Sequence, residues 1–424
     1  MSSHPSTPPL AARMALGFLE RLQHGQLQLQ LPDGSQRLFG QRNPSGQAEA
    51  ATDATDATAD AVMIVSDWNA FSRILRDGDI GFAEAFMDGQ WHTPHLPALL
   101  CLLAANRQAL DAPLYGSWIG RLLHRLTHLL RSNTRAGARR NIAAHYDLGN
   151  DFYALWLDAG MTYSAGVFTQ PDWSLAQAQD EKYRRVLEQL QLAPASRVLE
   201  IGCGWGGFAE RCVGEGHHLT GLTLSQRQLD YARARLQPFA APGDSPKVDL
   251  PTIDLQLRDY RDLGRLPDGS AERYDAVVSI EMIEAVGERW WPSYFERIAS
   301  VLPGGGRAVI QAILIDDALF ERYRRGSDFI QQYIFPGGML PSLSRFTALA
   351  EAAGLQLVQR FHFAEGYART LALWRERVLA TREQILAMGF DTRFLRMWEF
   401  YLAYCEAGFR SGSTDVAQLT LERR

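Results

Sequence analysis

The feature that most constrains the fold is the stretch RVLEIGCGWGGF, which occupies positions 197–208. Its apolar residues predict a short buried strand, and its glycines predict a tight turn into a helix. Glycines at such a turn let backbone N–H groups approach a ligand closely at the N-terminus of the helix. Glu200 adds a carboxylate beside the turn. The stretch therefore predicts a ligand site on a parallel sheet, although a simple strand-to-helix connection has the same pattern.

The second predicted strand, residues 218–223, narrows the choice of ligand. It ends in Thr-Leu-Ser, and Gln228 follows five residues after Thr223. A dinucleotide-binding fold usually carries Asp or Glu at this place, where the carboxylate binds the ribose diol. No acidic residue occurs between positions 218 and 228, so the sequence argues against a dinucleotide site.

Strand and helix patterns alternate over the second part of the chain, which predicts a mostly parallel sheet with helices on both faces. The strand candidates are 197–202, 218–223, 253–258, 274–280 and 306–313. Helices are predicted at 226–236 and 292–302. A helical insertion at 319–334 comes after the fifth strand, where such folds often cover their substrate. The remaining predictions are a helix at 343–353, a strand at 355–363, helices at 370–388 and 392–409, and a strand at 416–421.

The first part of the chain predicts a small α+β domain over residues 1–118. Residues 1–10 are rich in Ser and Pro and are predicted to be disordered. A loop near 44–61, which contains ATDATDATAD, lacks large apolar residues and is also predicted to be disordered. Residues 119–140 combine leucines at helical spacing with six arginines, which predicts a basic amphipathic linker helix. Such a helix can lie on an anionic membrane surface, or it can pack on the core with a solvated basic face.

Composition and charge exclude several classes of protein. The net charge of −5 argues against a general nucleic-acid binder. The four cysteines show neither C-x-x-C pairing nor zinc-ligand spacing, which predicts a reducing cytoplasm and no structural metal. No apolar run of about 18 residues is present, and the N-terminus lacks a signal-peptide pattern. We therefore expect a cytoplasmic protein that is soluble or attached to a membrane surface.

Four motifs follow one another in the second part of the chain. They are HYDLGNDFY at 145–153, MTYS at 161–164, E-x-G-x-G-x-G at 200–206 and G-L-T-L-S-x-x-Q at 221–228. Together they resemble the S-adenosylmethionine-dependent methyltransferases and, more narrowly, the cyclopropane fatty acid synthase family, which includes the mycolic acid cyclopropane synthases. The resemblance covers about residue 141 to the C-terminus. It implies an α/β fold of the class I methyltransferase type, with a Rossmann-like, doubly wound, mostly parallel sheet over 141–424 and the smaller α+β domain before it.

The resemblance also implies a site for S-adenosyl-L-methionine. The glycine turn would admit the methionine tail and the ribose against the backbone, and Thr223 and Gln228 would contact the ribose. Asp259 and Tyr260 would flank the adenine, and each of these residues could instead be structural. The predicted cofactor-binding residues are Tyr163, Ser164, Glu200, Gly202, Gly204, Gly206, Thr223, Gln228, Asp259 and Tyr260.

The reaction that the resemblance implies is methylation of a double bond in an unsaturated phospholipid acyl chain. The alkene attacks the methyl group, a carbocation forms, and loss of a proton from the new methyl group closes a cyclopropane ring. A cation in an apolar tunnel needs nearby negative charge and aromatic faces. Glu284 is the leading candidate for that charge and Glu281 is the second, because both follow the fourth strand at the ligand-binding edge of the sheet. Either could instead be a carboxylate that stabilises a helix N-terminus.

A bicarbonate ion acts as the base in the resembling family, where a cysteine, a glutamate, a histidine, a tyrosine and a backbone carbonyl hold it. By position, the glutamate is Glu284, the tyrosine is Tyr367 and the carbonyl belongs to Ile313. The cysteine position is Ala165 and the histidine position is Gln311. Loss of two side-chain partners predicts weaker bicarbonate binding, since each hydrogen bond to a charged group is worth about 1.5–3 kcal/mol.

The absence of the cysteine and the histidine leaves two products open, a cyclopropane ring and a methylated alkene without ring closure. A methyltransferase of small soluble acceptors and an inactive module that only binds the cofactor are further alternatives. Cys405 matches a cysteine to which the family assigns a catalytic role, but a buried, inert cysteine is the better physical interpretation. The predicted partners are an unsaturated phospholipid and a membrane surface, with a homodimer left open. The predicted catalytic residues are Glu284, Tyr367, Gln311 and Cys405.

Overall fold

The computed structural model describes residues 8–41, 59–114, 148–239, 251–265 and 269–424. Contacts divide the chain into two units. The first comprises Met1–Leu129, Gly326–Tyr333 and Val378–Ser413, and the second comprises Leu130–Arg325, Ile334–Arg377 and Thr414–Arg424. Most of the predicted loop near 44–61 and the whole predicted basic helix at 119–140 lie outside the described residues.

The first unit begins with a four-stranded sheet and four helices. Its strand order is β2-β1-β3-β4, in which β1 and β3 are parallel and the other pairs are antiparallel. The helix at Asn69–Met87 has a kink at Gly78, where φ is 63°. The elements are α1 (Leu10–Leu19), β1 (Gly25–Gln30), β2 (Gln36–Gln41), β3 (Ala61–Val65), α2 (Asn69–Met87), β4 (Trp91–His92), α3 (Leu96–Ala105) and α4 (Arg107–Leu114).

The second unit is built on a seven-stranded sheet of order β10-β11-β9-β8-β5-β6-β7. Neighbours from β9 to β7 are parallel, while β11 is antiparallel to both β9 and β10. The predicted α/β class with a mostly parallel sheet is therefore confirmed. The strands are β5 (Arg197–Ile201), β6 (His218–Thr223), β7 (Ile253–Leu257), β8 (Ala276–Ile280), β9 (Arg307–Ile315), β10 (Leu355–His362) and β11 (Thr414–Arg423).

Helices precede and connect these strands. Single-turn helical segments span Gln237–Phe239, Tyr260–Asp262 and Glu288–Trp290, and a π-helical segment spans Ile330–Ile334. The α-helices are α5 (Asn150–Ala154), α6 (Leu175–Leu190), α7 (Gly207–Gly214), α8 (Gln226–Leu236), α9 (Ile283–Val286), α10 (Trp291–Val301), α11 (Asp317–Tyr323), α12 (Leu343–Ala352) and α13 (Ala364–Ala380).

Alternation along the central strands gives each face of the sheet its own apolar core. Val198 of β5 and Val278 of β8 belong to one cluster, whereas Leu199 and Val277 belong to the other. Successive side chains of a strand point to opposite faces, so a strand that is covered by helices on both faces reads as a continuous apolar run. This explains why the run VLEI formed a strand with only one polar side chain, that of Glu200.

Two helices near the C-terminus, α14 (Arg382–Ala387) and α15 (Thr392–Arg410), belong to the first unit rather than to the sheet domain predicted over 141–424. Aromatic packing explains this difference, because the ring of Phe400 lies 6.1 Å from that of Phe82 and 5.7 Å from that of Phe86 in α2. The sequence shows that α15 is amphipathic but not which apolar face it meets. Among the helices of the described residues, none has the length and apolarity that crossing a membrane requires.

Candidate active site

A pocket lies in the second unit at the carboxyl ends of β5, β6 and β8. The chain runs outward from β5 through β6 to β7 and then returns to β8 and β9, so the direction of winding reverses beside β5. Ligands bind in such crevices of open parallel sheets. Eight of the ten predicted cofactor-binding residues line the pocket, namely Tyr163, Ser164, Glu200, Gly202, Gly204, Thr223, Gln228 and Tyr260.

The glycine turn after β5 leaves room for a ligand. Gly202 has φ 89° and Gly204 has φ 51°, both in the left-handed region that favours glycine. A Cβ atom at Gly202 would lie 2.9 Å from Cγ of Met282, whereas one at Gly204 would meet no protein atom within 4 Å. Gly206 instead precedes α7, where a Cβ atom would lie 3.1 Å from Cβ of Ala232. The space beside Gly204 thus belongs to the pocket, while Gly206 permits close packing of α7 on α8.

Glu200 presents a buried carboxylate oxygen to the pocket. The residue is 3% exposed, and its Oε2 atom has no hydrogen-bond partner among the described residues. Burial raises the pKa of Glu200 to about 8, while Arg235 and Lys182 act in the opposite direction. A buried carboxylate oxygen without a donor is costly. The position therefore fits a ligand that brings a cationic or hydrogen-bond-donating group.

The end of β6 holds a second set of polar groups. The hydroxyl of Thr223 donates to Oε1 of Gln228 at 3.1 Å and accepts from the backbone N–H of Ser225 at 3.1 Å. The hydroxyl of Ser225 in turn accepts from the backbone N–H of Gln228 at 3.3 Å. Since the oxygen of the Gln228 amide is taken, its NH₂ group is the part that can meet a ligand hydroxyl.

Asp259 is the predicted cofactor residue that the structure places in an ion pair instead. Its carboxylate accepts from Nη2 of Arg261 at 2.5 Å and from Nε of the same side chain at 2.8 Å. Asp259 is buried and is not among the pocket-lining residues, whereas its neighbour Tyr260 is. The pair fixes the turn that presents Tyr260 to the pocket.

Three donors hold the carboxylate of Glu281, which also lines the pocket. The backbone N–H of Ala165 and the side-chain amide of Gln311 donate to its Oε1 atom, each at 2.8 Å. The hydroxyl of Tyr367 donates to its Oε2 atom at 2.7 Å. We call these three donors the carboxylate cradle. Ala165, Gln311 and Tyr367 stand at the positions of the cysteine, the histidine and the tyrosine of the resembling family's bicarbonate site. The structure brings them together around a side chain of the protein.

A glycine contact brings Tyr367 into the cradle. A Cβ atom at Gly366 would lie 2.6 Å from the carbonyl oxygen of Gly166, so only glycine at 366 lets the first turn of α13 approach the segment that contains Ala165. The hydroxyl of Thr370 in the same helix accepts from the backbone N–H of Gly166 at 3.0 Å. These contacts hold the backbone N–H of Ala165 and the hydroxyl of Tyr367 close to each other.

A chain of buried amides fixes the orientation of Gln311. Its Oε1 atom accepts from Nε2 of Gln418 at 3.2 Å, and Oε1 of Gln418 accepts from Nε2 of Gln189 at 2.7 Å. The hydroxyl of Thr420 donates to the remaining amide oxygen at 2.8 Å. Because each amide oxygen in the chain is taken by a donor, Gln311 must turn its NH₂ group toward Glu281. Gln311 and Gln418 face each other across β9 and β11.

Lys182 places a positive charge near the cradle. The residue is fully buried in α6, and its Nζ atom donates to Oγ of Ser164 at 2.5 Å and to Oε1 of Gln179 at 2.6 Å. Burial lowers the pKa of Lys182 to about 7, while nearby carboxylates, above all Glu281, act in the opposite direction. Lys182 therefore links the predicted methionine end of the pocket, at Ser164, to the charge of Glu281.

Glu284 is a second carboxylate beside the first. Its Oε1 atom accepts from the backbone N–H of Ile313 at 2.5 Å, and its Oε2 atom has no partner among the described residues. Burial, followed by the charge of Glu281, raises the pKa of Glu284 to about 8. Burial also raises the pKa of Glu281, but the three donors of the cradle and the charge of Lys182 oppose that rise. We infer that at neutral pH the negative charge of the pair resides on Glu281.

Aromatic rings connect the pocket to the cradle. The ring of Tyr163, which lines the pocket, lies 5.4 Å from that of Trp374, 5.4 Å from that of Trp156 and 5.5 Å from that of Tyr153. The ring of Trp374 also packs edge-on against Tyr367, at 6.3 Å. Aromatic faces attract cations, most strongly where water is excluded.

Cys405 lies in α15 of the first unit, whereas every residue that lines the pocket belongs to the second. Burial raises the pKa of its thiol far above the usual range, which keeps the sulfur protonated and unreactive. The interpretation of Cys405 as an inert cysteine stays a prediction.

Few features of the sequence indicate the polar groups behind the cradle. Lys182 lies in a helix whose pattern is that of an ordinary amphipathic helix. Gln418 and Thr420 lie in the otherwise apolar run VAQLTL, and polar side chains inside such a strand are the signal that could have indicated a buried network.

The comparisons with known proteins agree with this geometry. A family model described as "Mycolic acid cyclopropane synthetase" matches residues 133–419. The chain belongs to this family. It is 42% identical to the tuberculostearic acid methyltransferase UfaA1 of Mycobacterium tuberculosis, over 88% of this chain and 86% of that one. It is 30% identical to the cyclopropane-fatty-acyl-phospholipid synthase of Escherichia coli, over 87% of this chain and 90% of that one.

A solved structure of the family shows the same fold. The mycolic acid cyclopropane synthase CmaA1, determined in a complex with SAH and CTAB, is 29% identical and superposes with a TM-score of 0.60. The match covers 67% of this chain and 98% of that one. Both the predicted family and the class I methyltransferase fold are confirmed.

The family depends on S-adenosylmethionine, so the predicted cofactor is also confirmed. The pocket fits this cofactor, because Glu200 has a carboxylate oxygen without a donor and the space beside Gly204 is open to a ligand. The cradle, in contrast, does not fit a bicarbonate ion. The donors of Ala165, Gln311 and Tyr367 are already bonded to Glu281.

Proposed function

We propose that this methyltransferase transfers a methyl group from S-adenosylmethionine to a double bond in the acyl chain of an unsaturated phospholipid. The observation that carries the proposal is the carboxylate of Glu281 at the wall of the pocket, next to a cluster of aromatic rings. A charge-stabilising group among aromatic faces suits an acceptor that becomes positively charged during the reaction. The name of the Escherichia coli relative, a cyclopropane-fatty-acyl-phospholipid synthase, supports the lipid substrate.

The cofactor supplies an electrophilic methyl group on a positively charged sulfur. Glu200 would accept a hydrogen bond from its amino group, the turn at Gly202 and Gly204 would let it approach the backbone, and the amide of Gln228 would bind the ribose. Tyr163 and Ser164 line the part of the pocket nearest to Lys182 and would enclose the methionine end. These residues hold and orient the methyl donor, which converts an encounter in solution into an aligned reaction.

The π electrons of the alkene form the new carbon–carbon bond to that methyl group. The bond between the methyl carbon and sulfur breaks, its electron pair stays on sulfur, and positive charge moves to the second alkene carbon. Glu281 and the rings of Tyr163 and Trp374 lie where they would stabilise this charge. A proton must then leave, and the carboxylate of Glu281 is the group that would accept it.

Proton loss allows two products. Two observations favour the methylated alkene without ring closure. The positions at which the family has a cysteine and a histidine carry Ala165 and Gln311 here, and a fixed carboxylate lies between them. The relative at 42% identity is named a methyltransferase. The cyclopropane ring is the second candidate, which the family description and the Escherichia coli relative at 30% identity support.

Expression in a host without cyclopropane fatty acids tests the proposal. We expect fatty acid methyl esters that are heavier by one methylene group, and we expect hydrogenation to convert them into methyl-branched chains, because a double bond remains. A product of the same mass that resists hydrogenation would identify the ring. Label from the methyl donor that appears in soluble metabolites and not in lipid would contradict the proposal.

Peripheral attachment to a membrane follows from the same proposal, because the acceptor chain lies in a bilayer. The basic segment at 119–140, for which membrane binding was one of two predicted roles, lies outside the described residues. The lipid substrate alone therefore supports the attachment.

Removing the charge of Lys182 is expected to change the pH dependence of lipid methylation. Glu281 must be ionised to accept a proton, so the rate falls as the pH falls through its pKa. The charge of Lys182 lowers the pKa of Glu281. The neighbouring carboxylate of Glu284 is the other titratable group beside Glu281, and the substitution leaves it in place. The Lys182→Met variant should therefore lose activity at a higher pH than the native enzyme. Arg184→Gln, on the exposed side of the same helix, is the control and should leave the profile in place. A profile of Lys182→Met that overlays the native one would contradict this assignment.

A further inference from the structure

The feature that most needs an explanation is that a side chain of the protein bonds to the positions that surround a free anion in the resembling family. Ala165, Gln311 and Tyr367 come from three separate parts of the chain, and all three donate to Glu281. A carboxylate and a bicarbonate ion offer donors the same planar pair of oxygens on one carbon. The donors are thus satisfied without an exchangeable ion, and a second anion beside Glu281 would meet like charge.

The backbone at Glu281 indicates that the position of this carboxylate is built into the fold. Its φ of 49° lies in the left-handed region, which residues with a side chain rarely adopt. The backbone N–H of Glu281 donates to the carbonyl oxygen of Gln311 at 2.8 Å, which holds this conformation against β9. Unfavourable backbone conformations persist where the surrounding structure requires them, and they cluster at functional sites.

The row of hydrogen-bonded side-chain amides behind Gln311 orients its NH₂ group, so that the cradle binds a hydrogen-bond acceptor. Gln311 can donate to Glu281 only because Gln418 occupies its carbonyl oxygen, and Gln189 holds Gln418 in the same way. A cradle made of an N–H group, an amide NH₂ group and a hydroxyl suits a carboxylate in its ionised form. Gln418 and Gln189 are positioning residues, since neither lines the pocket and both act through Gln311.

We propose that Glu281 is the built-in base of this enzyme and replaces the bicarbonate ion, so that turnover does not require bicarbonate. The inference rests on the proposed function. After methyl transfer, a C–H bond next to the cationic carbon, or one of the new methyl group, breaks. Its electron pair forms the double bond or the ring bond, and the proton goes to the carboxylate of Glu281, which becomes neutral. The Oε2 atom accepts one hydrogen bond and Oε1 accepts two, so Oε2 is the better proton acceptor. Water takes the proton when the product leaves.

Titration with ¹³C-bicarbonate tests the inference without any lipid. We expect no saturable binding to the native protein, because Glu281 fills the cradle. The Glu281→Gly variant should bind bicarbonate saturably, since glycine adopts φ 49° freely and leaves the three donors empty. Glu281→Gln is the matched control, because its amide oxygen still accepts from Ala165 and Gln311, and it should not bind. Affinity for S-adenosylhomocysteine establishes that each variant is folded. Saturable binding to the native protein would overturn the inference, as would its absence from a folded Glu281→Gly variant.

Turnover on vesicles of dioleoyl phosphatidylglycerol provides the second measurement. The native rate should agree within about twofold between CO₂-free buffer and buffer with added bicarbonate, and Glu281→Gly should fall by about 10²–10⁴-fold, the usual contribution of a general base. Added bicarbonate should restore activity to Glu281→Gly and not to Glu281→Gln. A native rate that rises tenfold with bicarbonate would overturn the inference, whereas methyl transfer to the lipid, the reaction of the proposed function, would still stand. A native enzyme without any lipid product would contradict the proposed function, while the binding experiment still decides the role of the cradle.

Discussion

Glu281→Gln is expected to lower the rate of lipid methylation by about 10²–10⁴-fold, because the variant loses the proton acceptor. Glutamine has the shape of glutamate, and its amide oxygen can accept from Ala165 and Gln311 as the carboxylate does. Its NH₂ group would face the hydroxyl of Tyr367, whose oxygen can turn to accept a hydrogen bond. The fold and the affinity for the cofactor should therefore be retained. Initial rates of S-adenosylhomocysteine formation with lipid vesicles measure the effect.

Glu284→Gln is the matched control for this experiment. The pKa of Glu284 is raised to about 8, so its side chain is already neutral at pH 7, and glutamine keeps the oxygen that accepts from Ile313. We expect its rate to fall by no more than about tenfold, which corresponds to about 1.4 kcal/mol and to the upper end of the net value of one hydrogen bond. The opposite order, with a severe loss at 284 and a mild one at 281, would assign the base to Glu284.

Gly204→Ala is expected to weaken cofactor binding by about tenfold or more, since forcing a methyl group into an occupied site costs about 1–3 kcal/mol. A Cβ atom at this position would meet no protein atom within 4 Å, and it would enter the pocket instead. Calorimetric titration with S-adenosylhomocysteine measures the loss of affinity.

The control for this variant is Gly216→Ala. Gly216 also has a positive φ, 87°, and open space around a Cβ atom, but it lies outside the pocket. Both variants should lose a similar amount of stability in thermal unfolding, because both place a side chain in the left-handed region. Equal loss of cofactor affinity in the two variants would show that the effect at 204 comes from backbone strain and not from contact with the ligand.

The parallel sheet was predicted well because its signals are local. The strand at His218–Thr223 and the helix at Gln226–Leu236 have the bounds that apolar periodicity indicated. The glycine turn and Glu200 also lie where the sequence placed them, since a strand followed by a glycine turn and a helix fixes its own geometry over a few residues. The grouping of α15 with the first unit was not predictable, because a helix pattern shows that an apolar face exists but not which element covers it.

Glu281 and Glu284 show the same difference between what a local sequence pattern predicts and what only tertiary contacts decide. Carrying the family motif over by position made Glu284 the first candidate, and both glutamates have the same local pattern. What distinguishes them is the set of donors at Glu281, which come from residues 116, 30 and 86 positions away in the chain. No local pattern encodes such contacts.

The sequence by itself determined the family, the sheet and the glycine-lined cofactor pocket, because short-range periodicity and contiguous motifs encode them. Only the tertiary structure decided which of two neighbouring glutamates faces the cradle. The left-handed backbone at 281, the approach of α13 at Gly366 and the buried amides behind Gln311 act together at one point in space. The charge of Glu281 depends on that convergence, since burial raises its pKa and the donors of Ala165, Gln311 and Tyr367 oppose that rise.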